Sequence, residues 1–388
     1  MPEESGELQA GTATRQDSLV LGGPALLDEV RVWRAPSANI NLVALMTSLL
    51  LGLLLGVAAL QSSDPSLDGR LAEPHLVEIE DGRRLNFFCI GEGAPVVLFE
   101  QGGEGNIANW KAVQPAISAL TRTCFYDRAG FGYSDPPAEA VTALSVTNDL
   151  RALLEAEQID GPVVMVGHSI GGFYATVYAS RFPEQIAGLV LVDAGFVGQE
   201  RWRSDEDRTV ELPHIERGEQ GLLDCARVAR AGDLTRQNLR AHGCFPVGED
   251  LPPGEARYLL HAVTGPAWYE AEYSQSVNFF SRDDRLSVSQ QQAAELDGLW
   301  RDLPLVALSA ADPPSSSWRT AERRLTFSRH WQDGHRRLAE RSTRGRWTVV
   351  KGAGHFIQLD QPRAVVAAIE EVIAQVRADP EQVRPELD

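Results

Sequence analysis

The chain has 388 residues and a mass of 42.4 kDa, and its 43% hydrophobic and 23% charged residues exclude a generally disordered protein. Its 54 acidic and 36 basic residues give a formal net charge of −18. This charge argues against binding of nucleic acid through the phosphates, because such binding requires a basic face. The length allows two or three domains, or one large α/β domain with an insertion.

An apolar run of 21 residues, INLVALMTSLLLGLLLGVAAL, occupies residues 40–60. At 1.5 Å per residue, a helix of this length spans the roughly 30 Å hydrocarbon core of a bilayer. Arg34 precedes the run and Asp64 follows it, which predicts a single-pass protein with a cytoplasmic N-terminus and an extracytoplasmic main domain. A buried core helix and a cleaved signal peptide are the alternatives. The polar residues 1–39 are predicted to be a disordered cytoplasmic tail.

Beyond a predicted linker at 61–74, apolar runs typical of buried strands alternate with helical patterns. This alternation predicts a doubly wound, mostly parallel sheet. Helical patterns include residues 141–157, 170–181 and 363–377. The predicted strands are residues 75–80, 84–90, 95–100, 121–127, 162–166, 187–193, 304–309 and 346–351.

The alternation stops at residues 196–303, which have helical patterning and no convincing parallel strand. A segment this long is unusual for a loop, so it predicts a helical cap over one end of the sheet. The main domain would then comprise residues 75–195 and 304–376, followed by a tail at 377–388. Aromatic residues in the cap either pack in its interior or form an apolar wall over a pocket; they are Trp268, Tyr269, Tyr273, Phe279 and Phe280.

A G-x-S-x-G motif, Gly167-His168-Ser169-Ile170-Gly171, lies between a predicted strand and a predicted helix. The strand–turn–helix context is the one that exposes a nucleophilic serine at the carboxyl edge of a sheet. Glycines at such a turn allow the strand and the helix to approach closely. We therefore predict that Ser169 is a nucleophile, the alternative being an ordinary helix cap.

A serine nucleophile requires a general base, and the chain has eight histidines. His355 follows the last predicted strand in Gly-Ala-Gly-His-Phe, where a loop would overlie the carboxyl edge of the sheet. We predict that His355 is the base and that His168, beside the serine, is a packing residue. A buried carboxylate should orient the imidazole. Asp312, after strand 304–309, is the preferred candidate, and Asp193 is the alternative.

An oxyanion hole needs two N–H donors aimed at the same point. The residue after the nucleophile, Ile170, is predicted to supply one of them. The second is predicted to come from Gly103, in the glycine-containing loop 100–105 that follows the third predicted strand.

Together these motifs resemble the α/β-hydrolase superfamily over about residues 75–376, within its capped branch of esterases, haloperoxidase-like enzymes and proline-iminopeptidase-like peptidases. The segments FYDRAGFGYSDP at 125–136 and GAGHFIQLDQP at 352–362 resemble the family's turn after its fourth strand and its histidine loop. The resemblance implies an α/β-hydrolase fold with an eight-stranded sheet and a cap after the sixth strand. Where the family usually has a His-Gly pair, this chain has Gln101-Gly102.

The four cysteines show no zinc-binding spacing. Cys225 and Cys244 both lie in the predicted cap, and an exported domain permits a disulfide between them. The resembled fold places the strands of Cys89 and Cys124 side by side, which implies a second pair. Four buried thiols are the alternative.

These expectations describe a membrane-anchored serine hydrolase that cleaves a small, partly apolar ester or related acyl substrate through an acyl-enzyme, without cofactor or metal. Its partners would be that substrate and, through residues 40–60, the lipid bilayer. An aminopeptidase is one alternative, and it would require an acidic group in the cap to hold the substrate's ammonium. A ligand-binding receptor or scaffold with little turnover is the alternative from another class.

Overall fold

A computed structural model describes residues 66–296, 298, 300–311 and 320–379. The predicted tail, the membrane span at 40–60 and Asp312 lie outside the described residues. Within the described ranges, no helix is both long enough and apolar enough to cross a bilayer. Residues 66–74 were predicted to be part of a linker, but they contain the helix α1 (Leu67–Leu71), whose two leucines are buried.

The sheet has eight strands: β1 (Leu76–Glu78), β2 (Arg84–Ile90), β3 (Val97–Glu100), β4 (Thr123–Tyr126), β5 (Val163–His168), β6 (Ile186–Val192), β7 (Leu305–Ala310) and β8 (Gly345–Val350). Their order across the sheet is β1-β2-β4-β3-β5-β6-β7-β8. The β1–β2 and β2–β4 pairs are antiparallel, and every other neighbouring pair is parallel. The prediction of an eight-stranded, mostly parallel sheet is confirmed.

The central strands are apolar because both of their faces are covered by helices. Val164 and Val166 of β5 pack in the same cluster as Ile369 of the last helix, whereas Met165 packs in a second cluster with Tyr178. The helices outside the cap are α2 (Gln114–Ser118), α3 (Ala143–Ala156), α4 (Ile170–Arg181), α9 (Ala321–Ala339), α10 (Ile357–Asp360) and α11 (Pro362–Arg377). Short 3₁₀ turns occur at Ile107–Trp110 and Pro183–Gln185.

Four cap helices lie between β6 and β7: α5 (Asp205–Arg230), α6 (Pro253–Thr264), α7 (Pro266–Phe279) and α8 (Val288–Glu295). A capping box of Ser204 and Asp207 begins α5, because each side chain accepts a hydrogen bond from the other residue's backbone N–H. The α1 helix contacts the cap through Asp68, whose carboxylate accepts a hydrogen bond from the N–H of Glu255 in α6. The cap is therefore held to the N-terminal part of the domain as well as to the sheet.

Both predicted cysteine pairs are disulfide-bonded in the structure. Cys225 and Cys244, 19 positions apart, connect α5 to the segment that precedes α6. Cys89 and Cys124 lie directly opposite each other on the antiparallel strands β2 and β4. The two bonds thus fasten the cap and one side of the sheet separately.

Candidate active site

Ser169 lies at the turn between β5 and α4, in the left-handed backbone region with φ 54° and ψ −126°. Such a conformation is strained for a residue with a side chain and persists only where its surroundings enforce it. Backbone hydrogen bonds join Ser169 N–H to the carbonyl of Val192, and Gly195 N–H to the carbonyl of Ser169. A Cβ at Gly171 would lie 2.2 Å from the carbonyl oxygen of Gln101, so this glycine is what lets α4 approach the loop after β3.

The hydroxyl of Ser169 does not cap α4 and reaches the imidazole of His355 instead. The Ser169 Oγ to His355 Nε2 distance is 2.9 Å, and the His355 Nδ1 to Asp193 Oδ2 distance is 2.7 Å. Both are hydrogen-bond distances, so the imidazole connects the hydroxyl to a carboxylate. The structure therefore brings together Ser169 and His355, which were both predicted, and Asp193, which was the alternative acid.

Asp193 follows β6 and has φ 46°. Its Oδ1 accepts hydrogen bonds from the N–H of Ala310, at 2.8 Å, and from the indole N–H of Trp331, at 3.0 Å. Burial by itself raises the pKa of this carboxyl, but the hydrogen bond and charge of His355, with His335 and Ala310, hold the pKa below its usual value. Asp193 is accordingly an anion at neutral pH. Asp312 lies outside the described residues.

His168 contacts the loop that carries His355. Its Nε2 lies 2.9 Å from the carbonyl oxygen of His355, which requires the proton to be on Nε2. Burial, reinforced by the nearby imidazole of His355, lowers the pKa of His168 to about 3. His168 is therefore neutral and donates a hydrogen bond to the histidine loop in addition to packing there.

The predicted oxyanion loop after β3 is held by Arg128, whose side chain is only 1% exposed. The guanidinium donates to the carboxylate of Glu100 at 2.6 Å and to the carbonyl oxygens of Gln101, Gly102 and Gly103 at 2.7, 2.6 and 3.2 Å. Three successive carbonyls are thus fixed by one planar group. Arg128 thereby sets the backbone conformation of the loop that contains Gly103.

A cavity of about 240 Å³ opens beside the serine, and both Gly103 and Ile170 line it with Ser169 and His355. The N–H of Ile170 belongs to the first residue of α4, so no carbonyl inside the helix accepts its hydrogen bond. From the cap, the cavity receives Phe279, Phe280 and Glu272, among others. The aromatic residues of the cap divide between the two expected roles, because Trp268 and Tyr269 are buried in a cluster and do not line this cavity.

Sequence reasoning did not identify Arg128, Trp331 or Glu272 as residues of this site. Arg128 lies in the 125–136 segment that carried the family resemblance, so its position was noticeable although its role was not. Trp331 and Glu272 lie on helices far along the chain from the serine, and nothing in the adjacent sequence indicates that they reach it.

An eight-stranded, mostly parallel sheet, a cap after the sixth strand and a serine on a strand–helix turn define the α/β-hydrolase class of fold. A sequence model of the Alpha/beta hydrolase family matches residues 105–369, and the chain belongs to that family. This membership confirms the resemblance inferred from the motifs.

An uncharacterized protein of Schizosaccharomyces pombe is 25% identical over 329 residues, 75% of this chain and 54% of that protein. A 2-hydroxymuconate semialdehyde hydrolase of Pseudomonas sp. strain CF600 is 36% identical over 125 residues, 31% of this chain and 43% of that enzyme. The chain thus spans about half the length, or less, of these two relatives. The crystal structure of a bromoperoxidase from Bacillus anthracis aligns with a TM-score of 0.51 and 20% identity, over 78% of this chain and 100% of that one, and supports the fold alone.

Proposed function

We propose that the protein is a serine hydrolase that cleaves esters of small carboxylic acids through an acyl-enzyme. The observation that carries the proposal is the hydrogen-bonded series of Ser169, His355 and Asp193 beside a cavity. A hydroxyl, an imidazole and a buried carboxylate in this order are the groups that nucleophilic acyl transfer requires. The cavity volume of about 240 Å³ suits a small acyl group.

In the proposed reaction, Ser169 Oγ attacks the ester carbon while His355 Nε2 takes the hydroxyl proton. Asp193 accepts the Nδ1–H of His355 and stabilises the imidazolium that forms. The N–H groups of Gly103 and Ile170 stabilise the negative oxygen of the tetrahedral intermediate. His355 then gives its proton to the departing alkoxide, and an alcohol leaves. Water, activated by the same imidazole, releases the carboxylic acid and restores the serine.

Hydrolysis of p-nitrophenyl isobutyrate and labelling by a fluorophosphonate probe test the proposal together. We expect the wild type to show both, and Ser169→Ala to lose the labelling and at least about 10³-fold of kcat. Ser180→Ala, a serine change in the same helix but outside the cavity, is the matched control and should retain both. Hydrolysis that survives in Ser169→Ala would refute the assignment of the nucleophile. A folded wild type with neither labelling nor turnover would favour a receptor or scaffold.

We also propose that residues 40–60 anchor the protein in a membrane, with residues 61–388 on the extracytoplasmic side. The uncharged run of 21 residues supports the anchor. The two disulfides support an oxidising compartment for the main domain. The full chain should resist extraction from membranes by alkaline carbonate and dissolve in detergent, and a protease added outside the cell should cleave the main domain. Release by carbonate, or protection from the external protease, would contradict the anchor or its orientation.

A further inference from the structure

The structure has a second cavity, of about 360 Å³, which shares no described lining residue with the cavity beside Ser169. Its walls are formed by α4, the end of α8, α9 and the segment that joins β6 to α5. That segment borders both cavities, because Val197 and Arg201 line the second one whereas Gln199 and Glu200 line the first. A volume of this size is typical of small-molecule sites.

The inner surface of the second cavity is largely apolar. Val177, Phe196 and Leu338 line it, and all three side chains are buried. The two hydroxyl groups in the lining, those of Thr176 and Ser180, donate hydrogen bonds to carbonyls of their own helix. This part of the cavity therefore offers a ligand mainly apolar contacts.

Three arginines line the same cavity, and none of its described lining residues is acidic. Arg201 lies on the segment before α5, Arg337 lies on α9, and Arg341 follows the end of α9. Arg341 donates to the carbonyl of Gly298 at 2.9 and 2.6 Å, and its guanidinium lies 3.9 Å from the centre of the Trp300 ring. Arg341 is thus held in place by these contacts, whereas Arg201 and Arg337 are exposed at the rim.

Within the described ranges, neither Arg201 nor Arg337 forms an ion pair. The carboxylate of Asp333, on the same helix as Arg337, pairs with Arg336 at 3.2 Å. Burial lowers the pKa of His330, opposed by a backbone hydrogen bond, and the charges of Arg337 and Arg201 lower it further. Both guanidinium groups therefore act on one region, where an anionic ligand would be attracted to them.

We propose that the second cavity binds an amphipathic anion, which is a carboxylate or phosphate head group on a single aliphatic chain. The buried apolar wall contacts the chain, and Arg201 and Arg337 bind the head group. The head group then stays near solvent, so its charge is not fully desolvated. A guanidinium presents a planar set of donors that fits either head group. Binding here is independent of the proposed hydrolysis, because the two cavities share no described lining residue.

Isothermal titration calorimetry at low ionic strength tests this binding with four probes. Octanoate and octyl phosphate carry the two head groups, octanamide has the octanoate chain without its charge, and inorganic phosphate has no chain. We expect octanoate or octyl phosphate to bind at least about tenfold more tightly than octanamide and than inorganic phosphate. The tighter of the two charged octyl compounds identifies the head group. Binding of neither one, or equal affinity for octanamide or inorganic phosphate, would overturn the proposal.

Arg201→Gln and Arg337→Gln locate the binding in the second cavity. Each should weaken the binding of the charged octyl compound about fivefold, as loss of an exposed charge partner does, and leave octanamide binding unchanged. The matched control is Arg336→Gln, which removes the neighbour of Arg337. Arg336 pairs with Asp333 and Glu340 and does not line the cavity. This control should leave the affinity of every probe unchanged.

Filling the cavity is a second test, which leaves both guanidinium groups in place. Ala294 of α8 lines the cavity, so Ala294→Phe should cause loss of binding of the charged octyl compound and of octanamide alike. Thermal unfolding shows whether each variant folds, and the exposed arginine variants decide alone if Ala294→Phe does not. Unchanged affinity in the folded arginine variants would overturn the inference, because the octyl compounds would then bind elsewhere.

Discussion

Replacing Asp193 by asparagine tests the contact on which the proposed proton transfer depends. The change keeps the shape of the side chain but converts one carboxylate oxygen into an amide NH₂. Two donors, the N–H of Ala310 and the indole N–H of Trp331, both point at Oδ1. The amide oxygen must occupy that position, because an NH₂ group there would face two donors. In Asp193→Asn, the amide nitrogen therefore faces His355.

An NH₂ group that faces Nδ1 requires a lone pair on that nitrogen, so the proton of the neutral imidazole moves to Nε2. Nε2–H then points at Ser169 Oγ. Because Nε2 already carries a proton, it cannot accept the proton of the serine hydroxyl, and His355 no longer acts as a base. A tautomer error of this kind lowers kcat by about 10⁴, which is roughly 5 kcal/mol of transition-state stabilisation. The protein should remain folded because every donor to the Oδ1 position keeps its acceptor.

The assay is steady-state hydrolysis of p-nitrophenyl isobutyrate by Asp193→Asn, with Asp312→Asn as the matched control and thermal unfolding as the test of folding. We expect Asp312→Asn to keep kcat within about a factor of three, because Asp193 already supplies the carboxylate that contacts His355. A folded Asp193→Asn variant that keeps its wild-type kcat, beside an inactive Asp312→Asn, would refute the reasoning and restore the acid preferred from the sequence.

Three further changes have outcomes that follow from the contacts. Arg128→Met should lower the free energy of unfolding by about 3 kcal/mol in urea titrations, because it leaves the carboxylate of Glu100 buried without a cation. Adding Glu100→Gln to this variant should recover part of the loss. If the losses of the two substitutions were simply additive, the result would contradict this account. Cys225→Ser should lower the free energy of unfolding by about 3 kcal/mol, since the disulfide closes a cap loop over 19 positions. An unchanged unfolding midpoint in this variant would count against the stabilising role of the disulfide. The Glu272 carboxyl has a usual pKa of 4.5 and a folded-state pKa of about 8, so the folded state binds the proton more tightly than the unfolded state does. The stability that this proton contributes is complete below pH 4.5 and is lost as the pH rises to about 8. Relative to Glu272→Gln, the wild type should therefore lose stability between about pH 5 and pH 8 in chemical unfolding, and parallel pH curves would disprove the pKa shift.

Local sequence patterns predicted the fold and part of the site because the features involved are themselves local. Each of the eight predicted strand segments contains or overlaps a strand of the structure, since continuous apolar runs are what a sheet buried on both faces requires. The position of Ser169 depends on the turn between one strand and the next helix, where the motif specifies both the strain and the close approach. His355 was found for a similar reason, as it lies in the loop after the last strand.

The sequence alone could not decide between Asp193 and Asp312, because both candidates satisfy the same local pattern. Asp193 follows β6, and Asp312 was placed after the strand that became β7. Parallel strands end at one edge, about 4.8 Å apart, so chain position alone does not decide between them. What distinguishes Asp193 is its set of donors, and one of these, Trp331, comes from α9, 138 positions later. Glu272 shows the same limitation, since its position beside Gly103 depends on how the cap lies over the sheet.

The backbone of the sheet couples Ser169 to Asp193 more directly than their side chains do. Ser169 N–H donates to the carbonyl of Val192, the residue before Asp193, and Asp193 N–H donates to the carbonyl of Leu308 in β7. The register of β5, β6 and β7 therefore fixes the separation between Ser169 and Asp193. His355 lies on a loop beyond β8, so the pairing of the strands does not by itself set its position. The hydrogen bond from His168, at the end of β5, to the carbonyl of His355 holds the loop, and it comes from the residue next to Ser169. The motif around Ser169 thus positions the imidazole as well as the hydroxyl.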